Sequence, residues 1–226
     1  MYVRSNITCH VTCLARLVAV PSDPPVRGRR SQAQRREQTR GALIAATIRA
    51  IAEQGYTATT TRRVAELAGW TLGALAHHFR SRQDLIVATI DEVGRRSAEE
   101  LREQLAAVPA EQREGSAAAL DVMWRYYLGD LFIVWLRVWL AAAEDPDLYQ
   151  RLVPLQRQLS EAITLIADDL APTDLARHDW HRRFAVALNT MRGLALGLRI
   201  EPRPSTATTD PWPATRTELT RLLDHR

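Results

Sequence analysis

The residues whose types and spacing could recognise a ligand are concentrated between Thr59 and Phe79. Thr60 or Thr61 can accept a hydrogen bond from the backbone at the start of one helix, and Thr71 can do the same for a second helix. Hydroxyl groups, cations and the N–H groups at helix starts bind phosphates through hydrogen bonds and charge attraction. The segment is therefore suited to a partner that carries phosphates.

Two short helices are needed to position these side chains. The first has one apolar face, made of Val64, Ala65, Leu67 and Ala68. Gly69 predicts its end, because glycine adopts the left-handed conformation without a steric penalty. The apolar residues of the second helix are Leu72, Leu75 and Phe79, at helical spacing. A helix of seven or eight residues, a turn with glycine and a second short helix form the unit that places its second helix in the DNA major groove.

The charge of the chain is distributed unevenly. All 30 basic residues are Arg, and the net charge is +4. Residues 1–96 hold 15 Arg and seven acidic residues, a net charge of +8, and the remaining residues carry −4. A codon bias explains the absence of Lys but not this asymmetry. A polyanion that binds the N-terminal third is the simplest interpretation.

Many residues of this segment match one known family at fixed spacings. They are Gly55, Tyr56, Thr59–Thr61, Val64, Ala65, Ala68, Gly69, Gly73, Leu75, His78, Phe79, Ser81, Arg82 and Leu85. On these residues, the run from Arg40 to Val93 resembles the DNA-binding domain of TetR-type transcriptional regulators. The chain departs from the family pattern at Trp70, where a small aliphatic residue is usual, at Ala76, where an aromatic usually reaches the DNA backbone, and at Arg82, where Lys is usual.

The resemblance implies a set of DNA-binding residues. In the second helix, they are Thr71, Leu72, Gly73, Ala74 and His77, which would face base edges or phosphates, with apolar contacts to a thymine methyl group. At the start of the first short helix, they are Thr60, Thr61, Arg62 and Arg63. At the start of the long helix that follows the motif, they are Arg80 and Arg82. For each single residue the alternative is a solvated surface position. The resemblance assigns His78 a structural role inside the domain.

An aromatic cluster in the middle of the chain is the candidate ligand-binding region. Its proposed ligand contacts are Trp124, Tyr127, Phe132, Trp135, Arg137 and Trp139. Aromatic residues at this density either fill a core or line an apolar pocket. The resemblance favours a pocket for a small-molecule effector. Arg137 could hold an anionic ligand, although pairing with Asp130 or Glu144 and simple solvent exposure are the alternatives.

The last two long helices are candidates for dimerisation. Phe184, Leu188, Met191, Ala195 and Leu198 form one stripe, and Gly193 and Gly197 leave a neighbouring face without side chains. Glycine inside a helix costs about 0.5–1 kcal/mol relative to alanine, so two of them suggest the close approach of another helix. The resemblance implies a homodimer with a four-helix interface that reads a palindrome.

The rest of the sequence sets limits on other functions. Cys9, His10 and Cys13 lack a fourth ligand, so we predict neither a metal site nor another cofactor. His178 and His181 are interpreted as a polar face. No phosphate-binding loop or hydrolase motif is present, which argues against an enzyme. No apolar stretch is long enough for a membrane span, and two cysteines in a tail fit a cytoplasmic protein.

The predicted fold is all-α, with four parts. Residues 1–33 form an extension, which is either a disordered basic arm or a segment translated upstream of the natural start. Residues 34–80 form the helix-turn-helix domain, and residues 81–200 form a helical domain for ligand binding and dimerisation. Residues 201–226 form a Pro/Thr-rich tail with a short helix. The predicted helices span about 34–54, 82–108, 116–128, 130–143, 146–169, 174–199 and 215–223, with the two short helices of the helix-turn-helix between Thr60 and Phe79.

The sequence thus predicts a one-component, ligand-responsive transcriptional regulator, more specifically a repressor. It would bind a palindromic operator in double-stranded DNA as a homodimer. Two alternatives remain at this point. One is a small-molecule-binding protein of the same fold with weakened or lost DNA binding, since Ala76 replaces the usual aromatic. The other is an all-helical enzyme without a recognised motif.

Overall fold

The computed structural model of the protein describes residues 31–109, 111, 116–169, 177–200 and 210–224. The Cys9-His10-Cys13 cluster, the predicted start of the helix at 174–199 and most of the Pro/Thr-rich segment lie outside these residues. Over the described ranges the chain is helical and contains no strand, which confirms the predicted fold class. No helix within these ranges is both long and apolar enough to cross a membrane.

The described ranges form nine helices close to the predicted positions. They are α1 (Gln32–Gln54), α2 (Thr61–Ala68), α3 (Leu72–His78), α4 (Arg82–Ala106), α5 (Ala117–Leu128), α6 (Asp130–Ala142), α7 (Pro146–Asp169), α8 (Arg177–Ile200) and α9 (Trp212–Asp224). The chain divides into two compact units. The first comprises Met1–Val93 and Val134–Leu152, and the second comprises Gly94–Ile133 and Val153–Arg226.

Side-chain caps fix several helix starts close to the predicted positions. Thr60 accepts a hydrogen bond from the backbone N–H of Arg63 at 3.2 Å, so Thr60 rather than Thr61 caps α2. The Ser81 hydroxyl caps α4, and the Asp145 carboxylate accepts from the backbone N–H of Leu148 in α7. Because these groups satisfy N–H donors that have no partner inside the helix, they define where each helix begins.

The first unit is held together by a buried apolar core and by arginines that bind helix ends. Leu43, Ile51, Val64, Leu75, Ile86 and Ile90 are among its buried residues. The Arg49 guanidinium, on α1, donates to the carbonyl of Leu67 near the end of α2 at 2.8 Å. Carbonyl groups in the last turn of a helix lack an intrahelical partner, so this bond satisfies one of them and fixes α2 against α1.

In the second unit, the C-terminal helix α9 packs on α5 and α8. The indole rings of Trp124 and Trp212 stack with centroids 4.6 Å apart and 7° between their planes. Asp121 accepts a hydrogen bond from Trp212 Nε1 and pairs with Arg216, and both carboxylate oxygens of Asp224 accept from the backbone N–H of Ser116. The short helix predicted near the end of the chain is thus an integral part of this unit.

Candidate functional site

The turn between α2 and α3 has the geometry that the sequence predicted. Gly69 has a φ of 71° in the left-handed region, and its N–H donates to the carbonyl of Glu66 at 3.1 Å. The N–H of Trp70 donates to the carbonyl of Ala65 at 2.9 Å. These bonds close the end of α2, and the Thr71 hydroxyl caps α3 by accepting from the N–H of Ala74 at 3.1 Å. The two short helices are thereby joined at a defined angle.

One face of α3 is buried and the other is open. Leu75 and the following Phe79 are buried against the rest of the first unit. The predicted contact residues lie on the outer face, with Ala74 half-buried and the remaining members exposed, namely Thr71, Leu72, Gly73 and His77. An added Cβ at Gly73 would meet no atom closer than the Thr71 hydroxyl oxygen, 3.9 Å away. The fold therefore leaves this face accessible for a partner.

Cations and hydroxyls surround the start of α2. Thr60 and Arg62 are exposed, and Thr61 is half-buried. Arg63 lies 3.6 Å from Glu66 in an exposed pair, so its charge is partly balanced. Arg80 is exposed in the turn that follows α3. Because the Thr60 hydroxyl uses an oxygen lone pair for capping, its hydrogen is available for an incoming acceptor.

Arg82 has a different position from the one that the resemblance implied. Its Nε donates to the carbonyl of Thr59 at 3.0 Å, and its Nη2 donates to the carbonyl of Tyr56 at 2.7 Å. The guanidinium also stacks over the Tyr56 ring, 4.2 Å from its centroid. These contacts anchor the loop between α1 and α2 to the start of α4. Arg82 thus positions the helix-turn-helix from within rather than presenting its whole guanidinium to a phosphate.

Two arginines of α1 belong to the same neighbourhood, although they were not among the residues predicted from the sequence. The Arg40 guanidinium lies over the Phe79 ring, 5.4 Å from its centroid. Burial lowers the pKa of His78 below its ordinary value of 6.5, and electrostatic interactions with His77, Arg36 and Arg40 lower it further, so His78 is uncharged at neutral pH. This fits the structural role predicted for His78. The cluster of arginines in α1 was visible in the sequence, but its distance from α3 was not.

The predicted ligand contacts of the first unit form an aromatic group. The ring centroids of Trp135 and Trp139 are 5.9 Å apart, and Trp139 meets Tyr149 edge to face at 5.6 Å. Among the described residues, Nε1 of Trp139 is buried without a hydrogen-bond partner. A buried N–H without a partner lowers the stability of a protein by about 1–3 kcal/mol, so a bound molecule that offers an acceptor to Nε1 would remove this penalty.

Arg137 does not join this aromatic group as a ligand-binding cation. Its Nη1 donates to the carbonyls of Ile51 and Ala52, at 2.6 and 2.8 Å. These carbonyls lie in the last turn of α1, where the helix dipole favours a cation, and the Ile51 carbonyl also accepts from the N–H of Gly55 at 3.0 Å. Arg137 thus caps α1, a contact that links residues far apart in the sequence and that periodicity does not reveal.

The predicted ligand contacts of the second unit are buried among other aromatic rings. Trp124 is covered on one face by Trp212, a contact that was not predicted from the sequence. Tyr127 and Phe132 meet edge to face with centroids 4.9 Å apart. Burial raises the pKa of Tyr127, and it raises that of Tyr126 to about 12. Both phenols therefore stay protonated at neutral pH and can donate hydrogen bonds.

Comparisons with known proteins agree with this geometry. The sequence model of bacterial regulatory proteins of the tetR family matches residues 43–89, which include α2 and α3. The chain is 33% identical to the HTH-type transcriptional regulator CymR of Pseudomonas putida over 171 residues, covering 74% of this chain and 83% of CymR.

Two solved structures show a similar fold. A TetR family transcription regulator from Marinobacter aquaeolei VT8 superposes with a TM-score of 0.55 at 18% identity, covering 85% of this chain and 97% of that protein. The multidrug binding protein EbrR, in complex with imidazole, superposes with a TM-score of 0.55 at 24% identity, and the aligned region covers 81% of this chain and 93% of EbrR.

Proposed function

The chain belongs to the TetR family of bacterial transcriptional regulators, and on that premise we propose that it is a one-component repressor. It binds a palindromic operator in double-stranded DNA as a homodimer and releases the operator when a small-molecule effector binds. The observation that carries this proposal is the pair α2 and α3, joined by a tight glycine turn, with the outer face of α3 exposed.

In this proposal α3 enters the major groove. Leu72 and Ala74 contact apolar groups of the bases, such as a thymine methyl, while Thr71 and His77 form hydrogen bonds with base edges or phosphates. Gly73 allows the backbone of α3 to approach the DNA closely, which its open surroundings permit. Thr60, Thr61, Arg62 and Arg63 bind phosphates at the start of α2, and Arg80 binds one after α3. Such contacts fix the register of the protein on the duplex.

The proposed dimer interface lies on α7 and α8. Three apolar side chains of these helices are exposed in the single chain, Leu165 at 61%, Val186 at 49% and Ile200 at 67%. Outside the backbone of its own helix, no described residue has an atom within 4 Å of a Cβ placed at Gly193, so no other described helix requires a glycine there. A second copy of the chain would cover these residues and give Gly193 its close neighbour, as in symmetric dimers of helical proteins.

The proposed effector contacts are the aromatic residues named above, without Arg137. In the first unit, the buried Nε1 of Trp139 offers a hydrogen bond to an acceptor atom of the effector, and Trp135 offers an apolar surface. Trp124, Tyr127 and Phe132 of the second unit form a separate candidate group with aromatic surface. Each group by itself suits a largely apolar effector, and the Trp139 donor of the first unit suits an effector with a hydrogen-bond acceptor.

The proposed mechanism is a shift between two populations. The effector prefers a state in which α4 has moved and the two α3 helices no longer match adjacent major grooves. A hundredfold release of repression requires a difference of about 2.7 kcal/mol between the effector's affinities for the two states. In the first unit, Arg151 pairs with Asp84 and Gln83 donates to Asp145, so the first turn of α4 is held to the start of α7.

Selection of duplexes from a random library with the purified protein tests this proposal. Sequencing should show an inverted repeat with half-sites about one helical turn apart or slightly more. Sedimentation of the free protein should give twice the chain mass of 25.5 kDa. A monomer at micromolar concentration, or an enriched site without twofold symmetry, would contradict the proposed homodimer.

A further inference from the structure

Trp70 is an exposed aromatic in the turn between α2 and α3. It is 44% exposed and stands directly before Thr71, the N-cap of α3. The recognition helix of a helix-turn-helix contacts base edges with its N-terminal residues, so Trp70 lies beside the end that enters the groove.

The backbone holds Trp70 in place. Gly69 has a φ of 71°, and the N–H of Trp70 donates to the carbonyl of Ala65 at 2.9 Å. On the other side, the cap formed by Thr71 fixes the start of α3. These bonds fix the backbone at Trp70, and with it the direction of the Cα–Cβ bond that carries the indole. Less backbone entropy is therefore lost when a partner binds this segment.

The surroundings of Trp70 indicate which partner this surface fits. Leu72, two residues away, is 47% exposed, so two large apolar side chains occur together at this point. Residues 56–80 contain three Arg and a single acidic residue, Glu66, which pairs with Arg63. A partner must thus be anionic and also present apolar surface. The sugar-phosphate backbone of DNA has both properties, since the deoxyribose is apolar and the adjoining phosphate is charged.

We propose that Trp70 contacts the DNA backbone, with its ring against a deoxyribose and its Nε1–H donating to a phosphate oxygen. Tryptophan offers a large rigid surface and one donor, which suits a contact that is apolar at one end and polar at the other. The contact is independent of base sequence and adds no charge. It rests on the proposed DNA-binding function and extends it to a residue beyond the predicted set.

The test compares four variants of the full-length protein, Trp70→Ala, Trp70→Phe, Arg62→Gln and Leu140→Ala. Leu140 is an exposed apolar residue of the first unit with no proposed role at the DNA surface, and it serves as the matched control. Binding is measured by fluorescence anisotropy on the duplex selected by the wild-type protein and on a random-sequence duplex of the same length, over a range of salt concentrations. Circular dichroism confirms that each variant keeps its helical content and melting temperature.

Trp70→Ala should weaken binding to both duplexes by about tenfold, since each of the two subunits then lacks a neutral hydrogen bond and an apolar surface. Trp70→Phe, which keeps a ring and removes the N–H, should give a smaller effect, and Leu140→Ala should change nothing. The slope of log affinity against log salt should stay at the wild-type value in Trp70→Ala. In Arg62→Gln it should fall, by about 0.9 for each phosphate that is no longer neutralised.

Three results would overturn this contact. If the wild-type protein binds and Trp70→Ala binds equally well, Trp70 is not at the interface, and the proposed function stands without it. A weakening confined to the selected duplex, and abolished when its thymines are replaced by uracil, would assign Trp70 to a base rather than to the backbone. The absence of wild-type binding to either duplex would overturn the proposed function and the Trp70 contact together.

Discussion

The guanidinium of Arg151 pairs with the carboxylate of Asp84 at 2.6 Å and joins α7 to the first turn of α4. The hydrogen bond from Arg151 lowers the pKa of Asp84, and the Ser81 hydroxyl contributes to the same effect. Since α4 follows the helix-turn-helix directly, this pair is one of the contacts through which the first unit fixes the position of α4.

A double-mutant cycle should measure this contact. Asp84→Asn and Arg151→Met should each destabilise the protein, with a coupling of about 0.5–1 kcal/mol, because both side chains are about one-third exposed. The lowered pKa of Asp84 means that the contribution is present above pH 3.8, the ordinary value, and is lost as the pH falls through the folded-state pKa. Urea unfolding at pH 7 and pH 3 gives both quantities. The more exposed pair Arg221–Glu218 is the control, with an expected coupling of about 0.3 kcal/mol. Equal couplings for the two pairs would contradict a special role for Arg151.

The capping of α1 by Arg137 predicts a larger effect. Arg137→Met should lower the free energy of unfolding by about 2 kcal/mol, because two carbonyls of a helix end lose a charged donor. Arg125→Met is the matched control, since Arg125 is exposed and donates to Gln104, and it should cost less than about 0.5 kcal/mol. Denaturant titration distinguishes the two. A destabilisation by Arg137→Met no larger than that of the control would show that the cap is energetically unimportant.

The buried phenol of Tyr126 predicts a loss of stability at alkaline pH. Its pKa is about 12 in the folded protein against 10.0 when unfolded, so the folded state keeps the proton longer. The contribution is complete below pH 10 and is lost as the pH rises through 12, with a total of about 3 kcal/mol. The chain has no Lys, so few other side chains titrate in this range. Tyr126→Phe should therefore flatten the stability profile between pH 10 and pH 12 in urea unfolding, and an unaltered slope would disprove the assignment.

The exposed Ala76 on α3 predicts a gain of affinity on substitution. Members of the family usually carry an aromatic at this position that reaches the DNA backbone, and Ala76 faces outward in this chain. Ala76→Tyr should tighten operator binding about fivefold, by one hydrogen bond and additional apolar contact in each subunit. Ala76→Ser should bind as the wild type does. Anisotropy titrations of the three proteins on one duplex provide the comparison, and weaker binding by Ala76→Tyr would mean that α3 approaches the DNA differently.

The sequence was sufficient to predict what depends on local pattern. The caps at Thr60 and Thr71 and the turn at Gly69 follow from residue types at fixed offsets, because the hydrogen bonds involved span three or four residues. The predicted start of α1, at about residue 34, lies two residues after the observed start at Gln32, although the capping box of Ser31 and Gln34 is a local signal.

Contacts between distant parts of the chain could not be predicted in this way. Arg82 binds the carbonyls of Thr59 and Tyr56, and Arg137 binds the end of α1. An arginine side chain reaches several ångströms, and its partners here are backbone carbonyls, which every residue possesses. The sequence identifies the arginine that donates the hydrogen bond but not the carbonyl that accepts it. The stacking of Trp212 on Trp124 likewise depends on how α9 returns to α5.

The most direct test of the proposed function is a binding titration of the purified protein with the DNA upstream of its own gene, at two salt concentrations. A repressor that reads DNA through α3 should bind tightly and sequence-selectively, and its affinity should fall steeply as the salt concentration rises. Leu72→Ala combined with His77→Ala should reduce that affinity at least tenfold, by about 1.4 kcal/mol or more. Weak binding that is equal for unrelated fragments, and that is unaffected by these two substitutions in α3, would contradict the proposed function.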